Sequence, residues 1–257
     1  YDNVVAEKIG RICRQSPLTD FAGVSSKTRL SELNLNWRER DLPEIKRTKH
    51  VHRLHPYMGK FIPQLVEIFL RKYRPTLVYD PFCGSGTILM EAIDLGYQNL
   101  IGSDVSEKAV SDTKANLEWF IKSYELQVAS YKIFQSDIEQ ISKQVKPATV
   151  DAIITEPYLG PPMRGSETEK IVLSTIAELQ KLYLSAFEQF QKILKTGGKI
   201  VIVVPSWHIN GREYHLKIEE KISKLGFKQL TKNNLTYKRP DQKVWRHIQV
   251  WMSSRTQ

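Results

Sequence analysis

The stretch 77–92, LVYDPFCGSGTILMEA, constrains this chain more than any other. Leu77, Val78 and Tyr79 form a short apolar run that reads as a buried strand ending at Asp80. Pro81 and the Gly84-Ser85-Gly86 triplet then force a tight turn. From Thr87 to Asp94 the apolar residues Ile88, Leu89, Ala92 and Ile93 recur with helical spacing. A strand, a glycine turn and a helix together present backbone N–H groups to a nucleotide-like ligand at a helix N-terminus. Glycine suits the turn because a Cβ would block close approach and disfavour its backbone angles.

Two familiar ligand loops fail on inspection. A phosphate-binding loop needs Gly-Lys-[Ser/Thr] at its end, whereas Gly86 is followed by Thr87 and Ile88. A dinucleotide fingerprint read from Gly84 would place Leu89 at its last glycine. The segment from Asp80 to Thr87 instead resembles motif I of the class I S-adenosylmethionine (SAM) methyltransferases that modify nucleic-acid amino groups. An acidic residue opening the turn fits a ligand that carries an ammonium and a sulfonium rather than a pyrophosphate.

Further carboxylates follow at strand ends. Ile101-Gly102-Ser103-Asp104 reads as a second strand, and Asp104 lies where a nucleoside-binding α/β unit puts its ribose partner, about 20 residues on. A carboxylate can accept from both ribose hydroxyls. Ser106 caps the next helix through Ala109, Val110, Thr113 and Leu117. A third strand over 132–137 ends at Asp137, which either takes the adenine amino group or caps the turn after it. The resemblance to motif I implies a cofactor site made of Asp80, Phe82, Gly84, Gly86, Thr87, Asp104, Val105, Asp137 and Ile138. Upstream, His55-Pro56-Tyr57-Met58-Gly59-Lys60-Phe61 resembles the segment called motif X, which adds Tyr57 and Lys60, with Phe61 either there or in the core.

The fourth strand runs into Thr155-Glu156-Pro157-Tyr158-Leu159-Gly160. This resembles motif IV of the amino-methyltransferases, (Asp/Asn/Ser)-Pro-Pro-(Tyr/Phe), and implies Glu156, Pro157 and Tyr158 as catalytic residues. An exocyclic base amine is a weak nucleophile because its lone pair is delocalised into the ring. An acidic oxygen and a backbone carbonyl that accept its two N–H bonds draw the nitrogen toward sp3, and an aromatic ring stacks on the presented base. The sequence departs from the pattern by lacking one proline and by carrying Glu in place of Asp. Counted from the strand, Glu156 takes the acidic place; counted from Tyr158, Thr155 does.

The remainder reads as core: a helix over 169–194 ended by Gly197-Gly198, a strand over 200–204, and a loop carrying Trp207 and His208 beside the target pocket or at its rim. A helix over 214–225 and two strands over 228–237 and 244–251 follow, joined by a basic turn at 237–243 that touches phosphate or stands as a solvated tip. Alternating strands and helices predict an α/β fold, a doubly wound, mostly parallel seven-stranded sheet of Rossmann-like class I methyltransferase type. The domain reading is a basic N-terminal extension over 1–54 and a SAM-dependent methyltransferase domain over 55–257. Within the extension, Val4, Val5, Ile9 and Ile12 suggest one helix face. The dense basic run from Arg38 to Lys60, flanked by Trp37 and Tyr57, is either a phosphate-contacting arm or a solvated linker. Its histidines have no acidic or cysteine ligands beside them, so no metal centre is expected.

A net charge of +10 suits a polyanionic partner. Cys13 and Cys83 are the only cysteines, giving neither a disulfide framework nor a zinc spacing, and point to a cytoplasmic protein. No apolar run approaches the roughly 20 residues of a membrane span. From 55 onward the chain resembles the guanine 2-amino methyltransferases of tRNA, a family that often carries an N-terminal THUMP domain. That domain is not recognisable here. It lies upstream of Tyr1, is replaced by the basic arm, or is supplied by a partner; a small activating protein is a further candidate. The spacing leaves no room for a separate DNA target-recognition domain, which favours tRNA over DNA. The alternatives are a DNA amino-methyltransferase acting on cytosine or adenine and a catalytically silent RNA-binding subunit.

Overall fold

The computed structural model describes residues 23–33, 63–231, 235–237 and 242–254. The expected first helix, the basic run from Arg38 to Lys60, and Tyr57, Lys60 and Phe61 lie outside the described residues.

The order of elements is α1 (Pro63–Tyr73), β1 (Leu77–Asp80), α2 (Thr87–Asp94), β2 (Asn99–Asp104), α3 (Glu107–Ser123) and β3 (Ser130–Gln135). Then come a short α4 (Ile141–Gln144), β4 (Val150–Thr155), α5 (Glu169–Ile193), β5 (Leu194–Ile209) and β6 (Arg212–His215). The chain closes with α6 (Glu219–Lys224), β7 (Phe227–Gln229), β8 (Thr236–Tyr237) and β9 (Val244–Ser253). One sheet runs β3-β2-β1-β4-β5-β9-β7. The first five strands are parallel, β9 is antiparallel to β5, and β7 is antiparallel to β9. This is the expected seven-stranded path, with two additional short strands, β6 on β5 and β8 on β9.

Strand order reverses between β1 and β4, so a crevice opens beyond their carboxyl ends, where doubly wound folds bind ligands. Tyr79 pairs with Ile153 there, which brings Asp80 and the residues after Thr155 side by side. The sheet is buried on both faces. On one lie Leu65 and Phe69 of α1, Leu89 of α2, and Leu117 and Phe120 of α3. On the other lie Leu179, Tyr183, Phe187 and Phe190 of α5, with Trp251 of β9. Each fully buried side chain of this size contributes about 2–3 kcal/mol by leaving water.

The C-terminal half departs from the sequence reading in four places. The expected strand over 228–237 is split into β7 and β8, while the expected turn at 237–243 lies mostly outside the described residues. Gly197-Gly198 does not end α5. The helix passes at Ile193 straight into extended backbone at Leu194, which pairs with Val150, and a register shift before Ala152↔Lys199 absorbs the glycines. Gly197 there has φ 76°, so the pair serves a bulge rather than a helix end. The expected loop at Pro205–His208 is strand, because β5 continues to Ile209. His208 N donates to Lys243 O, so alternate residues of β5 bond β9, and the missing N–H of Pro205 faces the other side. There β4 has ended at Thr155↔Ile202 and β6 pairs only from Ser206, so no ladder bond is lost. Residues 212–215 form β6 rather than a helix start, and only Glu219–Lys224 is helical.

Candidate active site

The glycine turn is braced from several sides before any ligand is considered. Gly84 (φ 52°) and Gly86 (φ 85°) adopt the left-handed backbone that favours glycine, and Gly86 caps α2. A Cβ on Gly86 would meet Thr113 Cγ2 at 3.1 Å. A Cβ on Gly84 would meet only Phe82 O at 4.0 Å, so the space over that residue is open. Two residues of α3 hold the turn from behind: Thr113 Oγ1 donates to Gly84 O (2.9 Å) and Asn116 Nδ2 to Ser85 O (2.9 Å). Thr87 is buried at the start of α2.

Asp104, at the end of β2, ties the turn to the neighbouring strand. Its Oδ2 accepts from Gly84 N and its Oδ1 from Ser106 N, both at 3.0 Å. Two bonds leave a carboxylate with further lone-pair sites, so this group can still accept from a diol. Ser106 caps α3 as expected, accepting from Ala109 N at 3.3 Å. Val105, beside it, is 64% exposed, an apolar side chain facing solvent where a flat ring can lie. Phe82 is half-buried and leans on the core of the α5 side.

Asp80 is only 1% exposed. Its Oδ1 accepts from Phe82 N (3.2 Å) and from Thr155 Oγ1 (2.7 Å), so it joins β1, the turn and β4. Burial pushes its carboxyl from an ordinary 3.8 up to about 7, against the lowering by those two hydrogen bonds and with a smaller push from Asp104 and Glu156. Asp80, Asp104 and Glu156 therefore lie near one another at the strand ends, an acidic setting that suits a cationic ligand. Cys83 does not take part, since burial raises its thiol to about 12. At β3, Asp137 is exposed and caps the turn after the strand, accepting from Glu139 N at 2.8 Å, while Ile138 is core. The third strand itself ends at Gln135.

Beyond β4, Glu156 Oε1 accepts from Arg246 Nε of β9 at 2.8 Å, and both side chains are largely buried. Arg246 orients this carboxylate and compensates its charge. Sequence reasoning missed Arg246; the signal was one arginine among the apolar residues of β9. Pro157 is buried and Tyr158 is 59% exposed, so the ring stands at the surface next to the fixed carboxylate. Gly160 (φ 92°) lets the loop lie against α5 and β5, since a Cβ would meet Thr175 Cγ2 at 2.9 Å. Below it sits Trp207, which is fully buried and so neither lines a pocket rim nor stands at the surface.

A cradle with open space over glycine, a diol-accepting carboxylate, an exposed apolar wall and an acidic mouth fits SAM. A methyltransferase-domain family model matches residues 75–255. The type II methyltransferase M.MjaII of Methanocaldococcus jannaschii is 54% identical over 67 residues, 25% of this chain and 12% of that protein. The tRNA (guanine(10)-N2)-dimethyltransferase of Methanothermobacter thermautotrophicus is 30% identical over 131 residues, 51% of this chain and 33% of that protein. A probable tRNA (guanine(10)-N2)-dimethyltransferase of Methanothermococcus thermolithotrophicus is 30% identical over 170 residues, 64% of this chain and 90% of that protein. The chain thus spans a third or less of the first two relatives. It belongs to the family of SAM-dependent methyltransferase domains.

Proposed function

We propose that this chain methylates an exocyclic amine of a nucleic-acid base, the 2-amino group of guanine in tRNA. The observation that carries the reading is the Glu156–Arg246 pair at the switch point, with the exposed Tyr158 ring beside it. Glu156 and the Pro157 carbonyl accept the two N–H bonds of the amine and turn its lone pair out of the ring. Tyr158 stacks on the base, a contact worth about 1–3 kcal/mol. SAM supplies an electrophilic methyl group when bound, with Asp104 on its ribose and the cradle of Phe82 to Thr87 around it. No strong general base is needed, because the amine proton becomes acidic only as the N–C bond forms. The choice of guanine and of tRNA rests on the names of the two tRNA-modifying relatives.

Transfer from labelled SAM to an unmodified tRNA transcript, and to the same transcript with inosine at position 10, tests this. Inosine lacks the 2-amino group, so label should fall to background. Equal labelling of both transcripts, with no 2-methylguanosine in their digests, would refute the assignment.

A second reading follows from the 54% identity with the protein named a type II methyltransferase. On that reading, the same acceptor pair of this chain acts on an amine of a DNA base. Labelling of duplex DNA with none of tRNA would select it.

A further inference from the structure

His208, His215 and His247, all the histidines among the described residues, come from three different strands and meet on one face of the sheet. Strand pairing accounts for this. Ser206 pairs with His215 and with Trp245, His208 pairs with Glu213, and Thr236 pairs with His247. Side chains alternate along a strand, so Ser206, His208, Glu213, His215, Thr236, Trp245 and His247 share a face. Arg246, which holds Glu156, leaves the opposite face of β9.

Within that cluster Glu213, His215 and His247 each offer a ligand atom, and these atoms all lie within 4.8 Å of one another. We propose that Glu213, His215 and His247 form a binding site for a borderline divalent transition ion of the zinc class. Tetrahedral zinc with nitrogen and oxygen ligands holds its donor atoms about 3.3–3.5 Å apart. Glu213 Oε1 already lies 3.2 Å from His215 Nε2, and with all three donor atoms within 4.8 Å of one another small side-chain movements close the set. Half-exposed Glu213 and His215 have the freedom to do so and leave an entry path.

The surroundings fit a ligating role for His247. Its Nδ1 faces Thr236 Oγ1 at 3.0 Å, an outer partner able to accept the proton of that nitrogen and so leave the Nε2 pair for a metal. Ser206 Oγ lies 2.8 Å from Nε2 and 3.3 Å from His208 Nε2, so its hydroxyl can turn to His208 when the ion enters. Two imidazoles and one carboxylate leave a fourth position for water, and the ion would clamp the edge strand β6 to β9 across β5. The sequence carries no ligand spacing for this site, because its members are far apart until the strands pair.

Calorimetric titration of the whole protein with zinc chloride tests the proposal. We expect one equivalent bound, retained in the H50A/H52A/H55A triple variant and weakened at least about tenfold in Glu213→Ala and in His215→Ala. Thr236→Val, which touches only the outer partner, should weaken binding about tenfold with the ligands intact. Far-UV circular dichroism should be unchanged in all four, and SAM affinity in Glu213→Ala, His215→Ala and Thr236→Val. Absence of saturable binding overturns the site. So does zinc binding that survives both ligand substitutions, or that disappears in the triple variant.

Discussion

Asp80→Asn separates what the buried carboxylate costs the fold from what it gives the ligand. Asn keeps an oxygen to accept from Phe82 N and Thr155 Oγ1 but carries no charge. In the folded protein the Asp80 carboxyl titrates near 7, against an ordinary 3.8. A carboxyl whose folded value exceeds its unfolded one binds extra protons in the native state. Its favourable share of stability is therefore present at low pH and lost as pH rises from about 4 through 7. The full loss is about 4 kcal/mol, of which roughly 3 falls between pH 5 and pH 8. Urea unfolding at both pH values should show wild type losing about 3 kcal/mol more than Asp80→Asn, with the variant more stable at pH 8. Affinity for SAM should move the other way: rising through pH 7 in wild type, weaker and flat in the variant. Equal pH slopes in the two proteins would refute the buried-charge reasoning.

Four other substitutions probe the site. Glu156→Ala should lower kcat by about 100-fold or more while SAM affinity, measured by calorimetry, stays within about twofold. Arg246→Ala removes the charge that pairs with a largely buried carboxylate and should destabilise the protein by about 3 kcal/mol in urea unfolding, beyond its loss of turnover. Gly86→Ala forces a Cβ against Thr113 in left-handed backbone, which should cost about 1–2 kcal/mol and weaken SAM binding. Tyr158→Ala removes an exposed ring, so kcat/KM for tRNA should fall by about 10-fold with thermal stability unchanged.

Much of the N-terminal half of the sheet was legible, because local rules govern it. The motif from Asp80 to Thr87 supplied strand, turn and helix within one short stretch, and α2 spans the expected residues. Asp104 and the Ser106 cap followed from spacing and capping chemistry alone. The C-terminal half is dominated by long-range pairing. Gly197-Gly198 has the composition of a helix end, yet Leu194 is buried against Val150 and the glycines fall in a bulge. Pro205 reads as a loop signal until the neighbouring strand is seen to have stopped. Arg-Glu-Tyr-His at 212–215 has no helical or strand signature of its own and becomes β6 only because β5 offers an edge. Arg246 illustrates the same limit. Its partner lies across the sheet, and nothing in the local sequence names Glu156. Among the described residues, no helix is long and apolar enough to cross a membrane.

The most direct test of the central claim is nucleoside mass spectrometry after methyl transfer from labelled SAM to a mixture of unmodified tRNA and duplex DNA. Label is expected in 2-methylguanosine from the tRNA. Label in 4-methylcytosine or 6-methyladenine from the DNA would keep the amine chemistry and select the second reading. Label on a base carbon or a ribose oxygen, or bound SAM with no transfer to either nucleic acid, would contradict the central claim.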